Sequence, residues 1–96
     1  MRRSRTQTLA EALADYIAAM KIESKLKEVS VVESWSEIVG KVIASKTTSL
    51  FFKNGRLYVT LKSSVIRNEL LMIRESLRIK INERAGEEIV KELVIK

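Results

Sequence analysis

Ninety-six residues make one small domain and leave no room for a second. Eighteen Lys and Arg against 12 Asp and Glu give a net charge of +6, and the chain has no cysteine, histidine or proline. Disulfide staples, thiolate zinc sites, imidazole ligands and every nucleophile–histidine pair are thereby removed, so the composition argues against an enzyme, a metal site or a cofactor site. With 46% hydrophobic and 31% charged residues the chain has the balance of a globular domain. The absence of cysteine is compatible with a reducing cytoplasm.

No apolar run reaches the ~18–20 residues of a membrane span. The start, MRRSRTQTLAEALADYIAAM, has the basic opening of a signal peptide, but Glu11 and Asp15 interrupt the apolar stretch and no small-residue cleavage pattern follows. The expected organisation is a flexible basic arm over residues 1–7 and a single domain over residues 8–96. Thr8 and Glu11 form a capping box, and Leu9, Leu13, Ile17 and Met20 recur at helical spacing, which predicts a helix over residues 8–20. A second helix is predicted over residues 24–39, with Leu26, Val29, Val32, Trp35 and Ile38 on one stripe and a cap or bend at Gly40. Trp35 reads as a core anchor, and a further turn through Val42 and Ile43 follows.

Asn54-Gly55 between two β-rich runs is the sharpest local signal. Both central positions of a type I′ turn need positive φ, which Asn and Gly tolerate best. A two-residue loop fixes the pairing: Lys53 with Arg56, Phe52 with Leu57, Phe51 with Tyr58, Leu50 with Val59. Side-chain alternation then assigns Leu50, Phe52, Leu57, Val59 and Leu61 to a core face, and Phe51, Lys53, Arg56, Tyr58, Thr60 and Lys62 to the opposite face. Ser63 and Ser64 predict the N-cap of a third helix that carries Ile66, Leu70, Ile73, Leu77 and Ile81 to Gly86. The final EEIVKELVIK reads as a strand through Leu93 and Ile95. The order α-α-β-β-α-β predicts an α+β sandwich, with helices on one face of a small antiparallel sheet.

Charge is concentrated. Between Glu37 and Glu69 there is no acidic residue, while the stretch holds Lys41, Lys46, Lys53, Arg56, Lys62 and Arg67. Two of these flank the hairpin turn, and Lys62 and Arg67 bracket the start of the third helix, where free N–H groups suit a phosphate. Together with a pI near 9.8 this points to nucleic acid, against the plainer reading of cations that keep a hairpin soluble. Phe51 and Tyr58, opposite each other among cations, are either a base-stacking platform or simply a good cross-strand pair. Arg67, Arg74 and Arg78 fall on one stripe of the third helix, and Arg2, Arg3 and Arg5 make a basic arm able to grip a backbone. The glycines lie 15 and 31 positions apart, so neither a phosphate-binding P-loop nor a Gly-x-x-Gly clamp exists.

An ordered set of segments carries a family likeness: W-S-E-I-V-G-K from Trp35, F-K-N-G-R-L-Y-V-T-L, the Arg67-Asn68-Glu69-Leu70 helix start, then Asn82 and Gly86 before a last hydrophobic strand. This set resembles the DciA family of bacterial proteins over nearly the whole chain, in particular its short Bacteroides-like forms. The resemblance implies a K-homology-like fold and a non-enzymatic adaptor that helps place the replicative DnaB-type helicase on single-stranded DNA, without an ATPase domain of its own. The implied partners are the helicase and DNA, single-stranded by preference, in the cytoplasm or at the nucleoid. Neither a membrane nor a small-molecule substrate is expected. Longer relatives continue past the position of Lys96 with a disordered extension. An RNA- or ribosome-binding module, or a protein-interaction module without nucleic acid, are the alternative readings.

Overall fold

The computed structural model describes residues 8–96, so the arm carrying Arg2, Arg3 and Arg5 lies outside the described residues. Thr8 opens the first helix, α1 (Leu9–Glu33), through the expected capping box. The Glu11 N–H donates to Thr8 Oγ1 at 3.1 Å, and the Thr8 N–H donates to the Glu11 carboxylate at 2.8 Å. The helix does not stop near residue 20. Lys21, Ile22 and Glu23 include no breaker, so the two expected helices are largely one of 25 residues, about 37 Å long. Its apolar residues Leu9, Leu13, Ile17, Met20, Leu26 and Val29 are exposed, and Val31 alone is buried. The chain breaks at Ser34 and continues as two short helices, α2 (Trp35–Val39) and α3 (Lys41–Ser45). Gly40 joins them at φ 95° and ψ 162°, a conformation open essentially to glycine alone.

Trp35 is the expected core anchor. It is buried, and its indole N–H donates to Thr47 Oγ1 at 3.0 Å, while the Thr47 hydroxyl donates to the Ile43 carbonyl at 2.8 Å. That relay ties α2 and α3 to the start of the hairpin, β1 (Thr47–Lys53) and β2 (Arg56–Leu61). Asn54 and Gly55 have φ of 54° and 79°, as a type I′ turn requires. The register is the expected one from Lys53↔Arg56 to Leu50↔Val59, with a bulge between Thr47 and Ser49. Leu57, Val59 and Leu61 are buried, and Leu50 and Phe52 pack partly against them.

The expected third helix is two, α4 (Ser64–Met72) and α5 (Arg74–Ala85), with Ser63 Oγ capping the Ile66 N–H at 3.2 Å. The break falls at Ile73, which is exposed rather than buried on the stripe. No glycine or proline stands near Ile73 to mark it. Leu70, Leu77 and Ile81 reach the core, and Gly86 ends α5 in the left-handed conformation at φ 82°.

The last strand, β3 (Glu92–Ile95), corrects the expected all-antiparallel sheet. The order is β1-β2-β3, with β1 antiparallel and β3 parallel to β2, so the sheet is mixed. After the α4–α5 crossover the chain re-enters the sheet at the hairpin-turn end, where Lys91 N–H donates to the Gly55 carbonyl at 2.8 Å, and runs alongside β2. Asn82 fixes that re-entry. Its amide donates to the Val90 carbonyl at 3.0 Å and accepts from the Val90 N–H at 2.9 Å, and Arg78 adds a donor to the same carbonyl at 3.2 Å. Helices and strands pack around one core of Val31, Trp35, Ile38, Leu57, Val59, Leu61, Leu70, Leu77, Ile81, Ile89, Val90 and Leu93.

Val90 is fully buried, so losing the Asn82 clamp strands polar backbone groups in the core. Asn82→Ala is expected to lower the unfolding free energy by about 1–3 kcal/mol. Urea denaturation measures this, and amide exchange at Leu93 and Ile95 should quicken more than at Leu50.

Candidate nucleic-acid interface

Strand alternation sends Phe51, Lys53, Arg56, Tyr58, Thr60 and Lys62 to the side of the sheet away from the core, as expected. The parallel register of β3 adds a third row there, with Glu92 beside Arg56 and Val94 beside Tyr58, and Lys96 follows two residues on. Phe51 and Tyr58 stack across the hairpin, with centroids 4.9 Å apart and planes 7° from parallel. Phe51 is 47% exposed, and the Lys96 ammonium lies 5.7 Å from the centre of the Tyr58 ring. A stacked aromatic pair, exposed at Phe51 and half-buried at Tyr58, with a cation over the Tyr58 ring, is thus built by three strands.

Cations sit at both ends of this pair. At the turn end are Lys53 and Arg56, both exposed, together with Lys91, whose stem packs against Gly55. At the other end Lys62 and Lys46 are joined by a backbone bond of 2.9 Å from the Lys62 N–H to the Lys46 carbonyl. Six strand residues, roughly 20 Å, separate the two ends. Lys41 opens α3 in an exposed position, more than one helical turn before Lys46. Arg67 lies in the first turn of α4, half-buried and next to the Ser63 cap.

Sequence reasoning missed Lys91 and Lys96, and it missed an acid. The stretch without carboxylates in sequence is not without them in space. β3 brings Glu92 to Arg56, whose Nε donates to it at 2.8 Å. Beside the Tyr58 hydroxyl and that carboxylate, the Arg56 guanidinium is pushed above its ordinary pKa. The pair is about half exposed on both sides, so Arg56 is balanced by a neighbour in a way that Lys53 is not. Only the pairing of β3 with β2 could have revealed this, and no local signal encodes it.

The stripe of Arg67, Arg74 and Arg78 does not exist as expected, because the break at Ile73 separates the first from the other two. Arg74 is exposed at the start of α5. Arg78 belongs to the scaffold. Its guanidinium donates twice to Glu75, at 2.6 and 3.1 Å, once to Glu88 at 3.2 Å and once to the Val90 carbonyl. The Glu75 carboxyl is held below its usual range by the hydrogen bond to Arg78, and the Arg78 pKa is raised in return. Glu75, one turn before Arg78 on α5, is therefore its partner. Between α1 and the segment after α5, Lys27 and Ser24 bind Glu87 at 2.7 and 3.1 Å. The hydrogen bond from Lys27 lowers the Glu87 pKa and raises that of Lys27.

Among the described residues no three carboxylates gather as a metal site would need, and no helix is long and apolar enough to cross a membrane. One cleft, about 440 Å³, opens between α1 and the hairpin, lined by Ile17, Met20, Ser24, Phe52 and Asn54 among others. Lys21, Lys25, Glu28 and Lys53 complete its polar lining. What the surface offers chemically is stacking area and fixed positive charge.

No curated protein matches the chain. The family model described as "Dna[CI] antecedent, DciA" matches residues 8–95, from the Thr8 cap through β3, and the chain belongs to the DciA family of replication proteins.

Proposed function

We propose that the protein is a non-enzymatic adaptor that binds single-stranded DNA on the outer face of its sheet and assists the replicative helicase in the cytoplasm, at the nucleoid. Membership in the DciA family supports the helicase-loader-like part of this reading. The observation that carries the DNA part is the Phe51–Tyr58 stack, exposed at Phe51 and set between two groups of cations. A base stacks on such a pair whatever its identity, because every base has a π-face, and the cations along the track neutralise phosphates. Double-stranded DNA hides its base faces, so the aromatic pair gains nothing from it. The backbone clamp of RNA-binding K-homology domains has no counterpart here, since no Gly-x-x-Gly occurs in the chain.

Lys53, Lys62 and Lys96 are the best-placed phosphate ligands, with Lys46, Lys91 and Arg67 at the ends of the track and Arg56 divided between phosphate and Glu92. Arg78 is committed to Glu75, Glu88 and Val90, so the reading gives it no phosphate. With about four phosphates neutralised on a single strand, log K should fall with log salt at a slope near −3, measured by fluorescence anisotropy with an oligothymidine. A flat salt response, or no binding at low salt, overturns the DNA reading.

Two further outcomes follow from the surface. Phe51→Ala removes the exposed half of the pair and should weaken single-strand binding by about 1–3 kcal/mol while leaving the thermal midpoint nearly unchanged. Lys53→Glu combined with Lys96→Glu should reduce affinity at least tenfold and flatten the salt slope by about 1.4. If both variants bind as the parent does, another surface holds the nucleic acid. Competition by structured RNA at equal salt favours the RNA-binding alternative if RNA wins. Purified cognate helicase should bind the protein with and without the oligonucleotide.

A further inference from the structure

The N-terminal half of α1 is the most unusual surface of the molecule. Ten of the twelve residues from Leu9 to Met20 are apolar, and every one of the twelve is exposed. Leu9 is 77% exposed and Tyr16 64%, with Leu13, Ile17 and Met20 about half exposed. A lone helix of this length is marginal in water, and an apolar circumference belongs inside a protein. The molecule, 61 × 19 × 19 Å overall, is elongated accordingly.

The exposed stripe is continuous with one that is already packed. Leu9, Leu13, Tyr16 and Met20 are followed at the same three- and four-residue steps by Ser24, Lys27 and Val31. Those three meet the body, Val31 in the core and Ser24 and Lys27 on Glu87. The face that holds α1 to its own domain therefore runs on past the end of that domain.

We propose that this half-helix pairs with the same segment of a second copy of the chain, as an antiparallel two-helix interface. The spacing places Leu9, Leu13, Tyr16 and Met20 at the four inward positions of two heptads. Antiparallel pairing about the middle of the segment sets Leu9 against Met20 and Leu13 against Tyr16, twice over by symmetry. The positions flanking this seam are Ala10, Ala12, Ile17 and Ala19, so no charge opposes a close approach of the two helices. Glu11 and Asp15 fall on the opposite side of the helix, where they stay in water.

Charge and area both favour a second copy. Residues 6–20 contain no Lys or Arg, so a chain of net charge +6 meets its twin through its longest cation-free stretch. Antiparallel pairing leaves the two basic bodies at opposite ends, roughly 18 Å of helix apart and beyond a Debye length of ~8 Å. Leu9, Leu13, Tyr16, Ile17 and Met20 together expose roughly 500 Å² per chain, so a symmetric pair covers about 1,000 Å², the lower bound for a specific interface. The dimer is accordingly one that exchanges at micromolar concentrations.

Sedimentation equilibrium on the full chain from 1 to 200 µM tests this, since mass is insensitive to the elongated shape. The average mass should rise from 11.0 kDa toward twice that value. Leu13→Gln with Met20→Gln should hold the protein at the monomer mass with unchanged helicity, because both residues are exposed in the single chain. The parent sequence has no cysteine, so orientation can be read by mixing Leu9→Cys and Met20→Cys proteins of different tag mass under mild oxidation. Antiparallel pairing gives mainly the mixed 9–20 disulfide. A parent that stays monomeric at 200 µM, a dimer that survives the glutamine variant, or 9–9 and 20–20 disulfides in place of the mixed one overturns the proposal. A monomeric parent whose glutamine variant loses helicase or vesicle binding reassigns the face to that partner.

Discussion

The two-residue turn at Asn54-Gly55 is the constraint on which the rest of the structure hangs. Side chains along a strand alternate between faces, so a shift of one residue in the pairing would exchange the two sides of the hairpin completely. Both turn residues adopt positive φ, and that conformation is compatible with one register. From it follow a core side of Leu57, Val59 and Leu61 and an outer side where Phe51 meets Tyr58. The helices, β3 and the basic ends of the sheet are all arranged around a division made by two residues.

The parallel strand depends on that division at one remove. β3 can align with β2 only where the hairpin leaves an edge, and its entry point is set by Asn82 holding the Val90 backbone at both its donor and its acceptor. Arg78 reinforces the same carbonyl while drawing in Glu75 and Glu88. One arginine on α5 is thus spent on architecture, while the open face of the sheet carries mostly lysines beside Arg56. Lysine is a mobile point charge on a long stem, suited to phosphates whose positions vary from one bound strand to another.

What the sequence showed and what it hid divide along the range of the interactions. The hairpin, its register, the Thr8 capping box and the Gly86 terminus were all legible, because each is decided by residues within a few positions of one another. The continuity of α1 was not legible. The apolar pattern changes phase near residue 21, which reads as a boundary when packing is assumed, yet the apolar residues before that point are exposed and impose no such boundary. The break at Ile73 and the direction of β3 are decided by tertiary packing, and no breaker residue announces either. The outer face was legible where it lies on the hairpin, whose register places its side chains, and hidden where β3 contributes. Lys96 and Glu92 enter it only through a pairing between residues 36 positions apart, Arg56 and Glu92.

The outer face has a property that follows from its residue types alone. It is made of ammonium, guanidinium, phenolic and carboxylate groups, residue types that do not ordinarily change protonation near neutrality. With no histidine in the chain, this face lacks the one residue type that ordinarily titrates in the neutral range. Its potential is therefore constant across the acidity a cell experiences, and a drift of one pH unit around neutrality leaves its attraction for anions where it was. A surface of this kind cannot serve as an acid-sensing switch. Its grip on anything bound there can be modulated by the ionic atmosphere, by competing anions or by a second protein that covers the lysines, and each of these acts from outside the fold.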